Sequence, residues 1–191
     1  MRTLAAATYE DYVWWYLKRE KYKGRQFPWP GTAEEALTCM REVHWGKLRP
    51  WFPAGEWSIV RFEQAWELEL LVFMHSEQTV TSGLLPQEGP KNFRLLGRVV
   101  ENALADGCLA HKENARIAHY VSCFQAGSLS LVGESRLVIC SSNKHEMAWN
   151  PAGRFYLHDG SARALAYLVH LRQGGTGESP VEAFLVRGGE G

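Results

Sequence analysis

The sequence predicts an α+β protein, a small mixed sheet with flanking helices. Three observations lead there. Short runs rich in Ile, Val, Phe and Trp recur along the chain, as strands require. Between them lie segments with apolar residues at three-to-four spacing, the mark of amphipathic helices, and the two kinds do not strictly alternate. The 191 residues are 46% hydrophobic and 12% aromatic, with 21 Lys and Arg against 21 Asp and Glu. A disordered chain is poorer in aromatics and less balanced in charge, so a folded core is expected.

The elements follow in order. Thr8 is placed to cap a helix over residues 9 to about 23, with Glu10 and Asp11 in its first turn and Tyr12, Trp15 and Tyr16 on one face. Pro28 and Pro30 break the chain. Thr32 opens a Thr-Ala-Glu-Glu capping-box signature for a second helix reaching about His44, and Pro50 and Pro53 close that region. Residues 57–62 and 67–74 are predicted strands, and Thr79-Val80-Thr81 extends the second or forms another. After a Gly- and Pro-marked loop, Asn92 is expected to cap a helix through about Ala105 that ends at Asp106-Gly107. A further helix is expected over residues 114–125, a strand over 136–140 and a polar loop over 141–153. A strand over 154–158, a helix over 161–171 and a strand over 181–186 complete the pattern. Seven of the 8 Trp residues precede residue 67, so residues 1–46 are read as an aromatic-rich helical extension. Residues 47–187 are read as the α+β domain, with a helical insertion near 91–127.

Several function classes are disfavoured. The balanced charge argues against a dedicated nucleic-acid binder. No secretory h-region follows Met1, and no apolar run approaches the roughly 20 residues of a membrane span. Cys39, Cys108, Cys123 and Cys140 are widely spaced, without the close pairs of a zinc site, so free and mostly buried thiols are expected. A cytoplasmic location follows from these features.

The stretch that carries chemistry is Arg154-Phe-Tyr-Leu-His-Asp-Gly-Ser-Ala-Arg163 and the helix it enters. Gly160 permits a tight turn, and the first N–H groups of the helix then face an anion, for which phosphate is the natural guest. Ser161 adds a hydroxyl and Arg163 a forked guanidinium. Asp159 is suited to bind Mg²⁺ beside a phosphate or to act as a base. The ordinary alternative is a plain junction, with Asp159 as a cap and Arg163 as a surface charge.

Asp159-Gly160-Ser161-Ala162-Arg163 resembles the D-G-x-H-R box of the ParB/sulfiredoxin-like superfamily. Phe155-Tyr156, Ala166-Tyr167 and Leu171-Arg172 are similar to the flanks of that box in sulfiredoxins, and Lys47-Leu48-Arg49-Pro50 resembles their early R-P turn. The resemblance covers about residues 136–187. It implies nucleotide phosphates on Gly160, Ser161 and Arg163, with Asp159 toward metal or substrate; Lys47 and Arg49, grouped with His44 before Pro50, are further candidate phosphate contacts from an opposite wall, the alternative being a basic helix end. The box His is replaced by Ala162, and the sulfiredoxin cysteine by Ser161, which argues against sulfinic-acid reduction.

Other residues carry weaker signals. His158 alternates with Tyr156 and His44 precedes Lys47, so both are candidate pocket residues. Glu63, with Glu67 and Glu69 nearby, is a candidate general base by analogy with the serine-kinase members of the superfamily. Lys144-His145-Glu146 sits in a loop able to close on substrate. Trp45, Trp51 or Trp57 would line the pocket beside residues 47–50, or simply pack in the core. The expected function is an ATP- or other nucleotide-dependent phosphotransferase acting on a small molecule with Mg²⁺. The alternatives are a ParB-like DNA-binding or nuclease protein, and a non-catalytic ligand- or partner-binding protein on the same fold.

Overall fold

The computed structural model describes residues 1–43, 52–73, 83–84, 94–105, 107–141, 155–177 and 180–188. Seven strands lie there: β1 (Arg2–Ala7), β2 (Glu56–Phe62), β3 (Val72–Phe73), β4 (Arg94–Leu95), β5 (Leu137–Ser141), β6 (Phe155–Asp159) and β7 (Val181–Arg187). Six helices accompany them: α1 (Tyr9–Tyr22), α2 (Ala33–Val43), α3 (Ala65–Glu69), α4 (Leu96–Ala103), α5 (Ala115–Gln125) and α6 (Ser161–Arg172). None of the described helices is long and apolar enough to cross a membrane.

The strands form one mixed sheet in the order β1-β2-β7-β5-β6-β3-β4. The β5–β7 and β6–β3 pairs are parallel and the others antiparallel. Alternation along the strands divides the core in two. Leu137 and Ile139 of β5, and Ala183 and Leu185 of β7, face a core built with α4, α5 and α6. Val138 and Cys140, with Phe184 and Val186, face the opposite core beneath α1 and α2. The sheet is thus the middle of three layers. Six of the seven residues of β7 are buried, as a central strand covered on both faces demands.

The mixed α+β class holds, and the differences from the sequence reading have local causes. β1 was not anticipated: Arg-Thr-Leu-Ala-Ala-Ala has no apolar alternation, and the strand is an exposed edge held by antiparallel pairing with β2. The segment expected to be purely helical therefore begins with a strand. Of residues 67–74, expected as one strand, the described residues 67–73 are the end of α3, a turn and the two-residue β3. The Glu67 carboxylate accepts from the backbone N–H groups of Glu63 at 2.7 Å and Gln64 at 3.1 Å, which winds that segment into a helical turn. Residues 94–95, expected in the first turn of a helix, are β4, because they pair with Val72 and Phe73. The proposed Asn92 cap, Thr79-Val80-Thr81 and most of the 141–153 loop lie outside the described residues. None of the four cysteines is in a disulfide, and Cys108 and Cys140 are buried.

Candidate functional site

The candidate site is the junction of β6 and α6, which meet through Gly160. That glycine has φ of 91°, a left-handed conformation that non-glycine residues adopt at a cost. A Cβ there would meet the Leu137 side chain at 2.6 Å and Arg163 Nη2 at 3.1 Å, so the space a side chain would need at this turn is also taken. Asp159, Gly160, Ser161 and Ala162 are half-buried, and Arg163 is buried. The start of α6 has no side-chain cap and no acidic residue in its first turn. Helix α1 shows the contrast: Thr8 and Asp11 there form a reciprocal capping box, with Asp11 N–H donating to Thr8 Oγ1 at 3.0 Å.

Beneath the turn lies a cluster of charge. Arg19, arriving from α1, donates through Nη1 to Asp159 Oδ2. Its guanidinium is sandwiched against rings, 4.7 Å from the centroid of Trp15 and 4.8 Å from that of Tyr16. Arg163 turns inward. It donates to the carbonyl of Ser135 at 2.7 Å and to that of Arg136 at 3.2 Å, and its Nη2 lies 3.9 Å from Asp159 Oδ2. Burial lowers the Arg163 pKa, the like charge of Arg19 adds to this, and Asp159 opposes it. Burial, with the negative charge of Asp159 second, drives the Tyr12 phenol well above its ordinary value. The Tyr12 hydroxyl and Arg19 Nε are buried without hydrogen-bond partners among the described residues.

Two guanidiniums against one carboxylate leave a net positive charge beside the start of α6. Glu20, 3.5 Å from Arg19, does not reverse the balance. Its carboxylate also meets Lys23 at 2.7 Å and Arg25 at 3.1 Å.

The structure brings Asp159, Gly160, Ser161 and Arg163 together as the sequence predicts, but gives two of them different company. Arg163 points at backbone carbonyls rather than outward. Asp159 is held by guanidiniums. Glu63 is not part of the cluster. It is an exposed residue 3.5 Å from Arg2, at the end of β2. Three inter-strand spacings, roughly 14 Å, separate β2 from β6. Glu67 caps its own turn and also receives the amino group of Met1, and Glu69 pairs with Arg172 at 2.7 Å. His158 is buried on the α1 side, its ring 4.9 Å from that of Phe52. Trp57 is a core residue, stacked on Tyr12 at 4.8 Å and donating to the Phe52 carbonyl at 2.9 Å. His44, Trp45, Lys47, Arg49, Trp51 and residues 144–146 lie outside the described residues.

The residue that sequence reasoning missed is Arg19. A signal existed: Tyr12, Trp15, Tyr16 and Arg19 share one face of α1 at three-to-four spacing, so a cation ends an apolar stripe. A buried position at that point calls for a buried acid, and Asp159 is 140 residues away.

No metal site emerges. Among the described residues no three His, Cys, Asp or Glu side chains cluster as ligands. Asp159 is the carboxylate at the turn, and Arg19 and Arg163 occupy it, so its surroundings do not fit Mg²⁺. Comparison of the chain with protein-family models, with curated proteins and with solved structures finds no match.

Proposed function

We propose that the protein binds the phosphate moiety of a nucleotide at the β6–α6 turn. The observation that carries this reading is the coincidence of a helix start without a side-chain cap and a net positive charge beside it among the described residues: Arg19 and Arg163 against Asp159, with Glu20 shared among Arg19, Lys23 and Arg25. The first-turn N–H groups and the helix dipole favour an anion there, and the guanidiniums deepen the same potential. The Ser161 hydroxyl would bind one phosphate oxygen. Arg163 would act as a strut that fixes the turn rather than as a phosphate ligand.

Binding, rather than phosphoryl transfer, is the function this geometry supports best. Transfer needs a positioned acceptor and charge neutralisation at the moving phosphoryl group. Asp159 is engaged as an ion-pair partner, and Glu63 stands across the sheet.

Thermal unfolding of the full chain with ATP, ADP, CTP or GTP, each with and without Mg²⁺, tests the reading. A bound nucleotide at about 100 times its dissociation constant should stabilise the fold by roughly 2.7 kcal/mol. Ala162→Asp places an anion in the first turn of α6 and should weaken that nucleotide about tenfold or more. No shift with any nucleotide would overturn the proposal, and steady phosphate transfer to an added acceptor would restore the enzymatic reading.

A further inference from the structure

A second feature lies on the outer side of α1, away from the face that meets Asp159. Lys18, Lys21 and Tyr22 of that helix, with Trp29 from the segment after it, border an open cleft of about 550 Å³. Two large rings are unusually bare there: Tyr22 is 87% exposed and Trp29 45%. Trp29 is nevertheless held in place. Trp14 stands 5.7 Å from it, Phe27 6.5 Å away and nearly parallel, and the Lys21 ammonium lies 5.2 Å over its ring. An exposed aromatic fixed by neighbours loses little freedom when a partner covers it.

The charge around these rings is one-sided. Residues 18–25 carry Lys18, Arg19, Lys21, Lys23 and Arg25, against Glu20 alone. Glu20 is buried and engaged with Lys23 and Arg25, while Lys18 reaches Glu134 at 2.6 Å. Lys21 has no carboxylate within ion-pair distance among the described residues. In a chain whose net charge is zero, this is a local excess and not a general basicity.

Trp and Tyr at the edge of a cleft are side chains that anchor protein interfaces, and the lysines beside them set the sign of the partner's charge. A nucleic acid fits less well. Its affinity rests on the number of phosphates neutralised, and three of the four surface cations here already share carboxylates. We propose that the Tyr22–Trp29 cleft docks an acidic segment of a partner protein, with an aromatic or proline ring seated between Tyr22 and Trp29 and a carboxylate on Lys21. This inference is independent of nucleotide binding at the β6–α6 turn.

Selection of a random dodecapeptide library on the immobilised full chain, followed by titration of the selected peptides in solution, tests it. The selected sequences should carry Asp or Glu beside an aromatic residue or proline. Lys21→Glu and Tyr22→Ser should each weaken them about tenfold or more without shifting the melting temperature, since both side chains are exposed. Four results would overturn the proposal. One is selection without acidic enrichment. Another is binding indifferent to both substitutions. The third is tighter binding of oligothymidylate, and the fourth is self-association of the chain through the same residues.

Discussion

At the scale of single residues, Arg163 and Gly160 hold the β6–α6 turn in complementary ways. Arg163 ties α6 to the segment before β5 through the carbonyls of Ser135 and Arg136. Arg163→Met should cost about 2–4 kcal/mol in urea unfolding, because it strands the carbonyls of Ser135 and Arg136. Arg163→Lys should recover less than half of that, since one ammonium cannot span both acceptors. A loss under about 1 kcal/mol for the Met variant would sink the strut assignment. Gly160→Ala should cost about 1–3 kcal/mol, from its positive φ and the Leu137 clash. Glu182 supplies a pH dependence. Burial alone would raise its carboxyl, but hydrogen bonds from Arg61 at 2.9 Å and Arg136 at 2.8 Å outweigh burial, and its folded pKa lies below the ordinary value. Its stabilisation is therefore complete above the unfolded carboxylate pKa, about 4.3, and is lost as pH falls through the lower folded value. In Glu182→Gln, acid unfolding curves should lose that part of their slope. The sequence displays the Asp-Gly turn because those two residues are adjacent. It conceals the aim of Arg163, whose acceptors lie 27 and 28 residues upstream.

At the scale of elements, helices with their own end signals were legible and pieces defined by partners were not. Helices α1 and α2 begin where Thr8 and Thr32 point, and α6 begins directly after Asp159-Gly160. Thr8→Ala should cost about 1 kcal/mol by opening the α1 capping box, read as a fall in melting temperature. Strand β1 is the opposite case. Its burial is slight throughout, so hydropathy says nothing, and only the ladder to β2 makes it a strand. Deleting residues 1–7 should bare the edge of β2 and remove the Met1–Glu67 ion pair. The expected outcome is reversible association in sedimentation velocity, through newly exposed strand edges. A monomeric truncated chain with an unchanged melting temperature would show that β1 is dispensable.

At the scale of the whole molecule, the uneven tryptophans acquire a place. Trp15 and Trp57 pack with Tyr12, Tyr16, Phe52 and Phe184 on the α1–α2 side of the sheet, while the α4–α6 core holds no described tryptophan. Emission from the buried tryptophans Trp15 and Trp57 therefore reports one layer, and far-UV ellipticity reports all three. Because β5 and β7 send alternate side chains into both cores, the two signals should change together in urea. Separate midpoints would mean that the aromatic layer detaches from an otherwise intact sheet. The strand lying between β2 and β5 is the last of the seven to leave the ribosome. Until it emerges, β1-β2 and β5-β6-β3-β4 are two unconnected parts of the sheet, and the aromatic side of α1 has no finished floor to settle on. The chain must emerge through β7 before either core can close, so the growing polypeptide exposes the aromatic side of α1 until then, and its yield in cells should respond to chaperones that bind nascent chains.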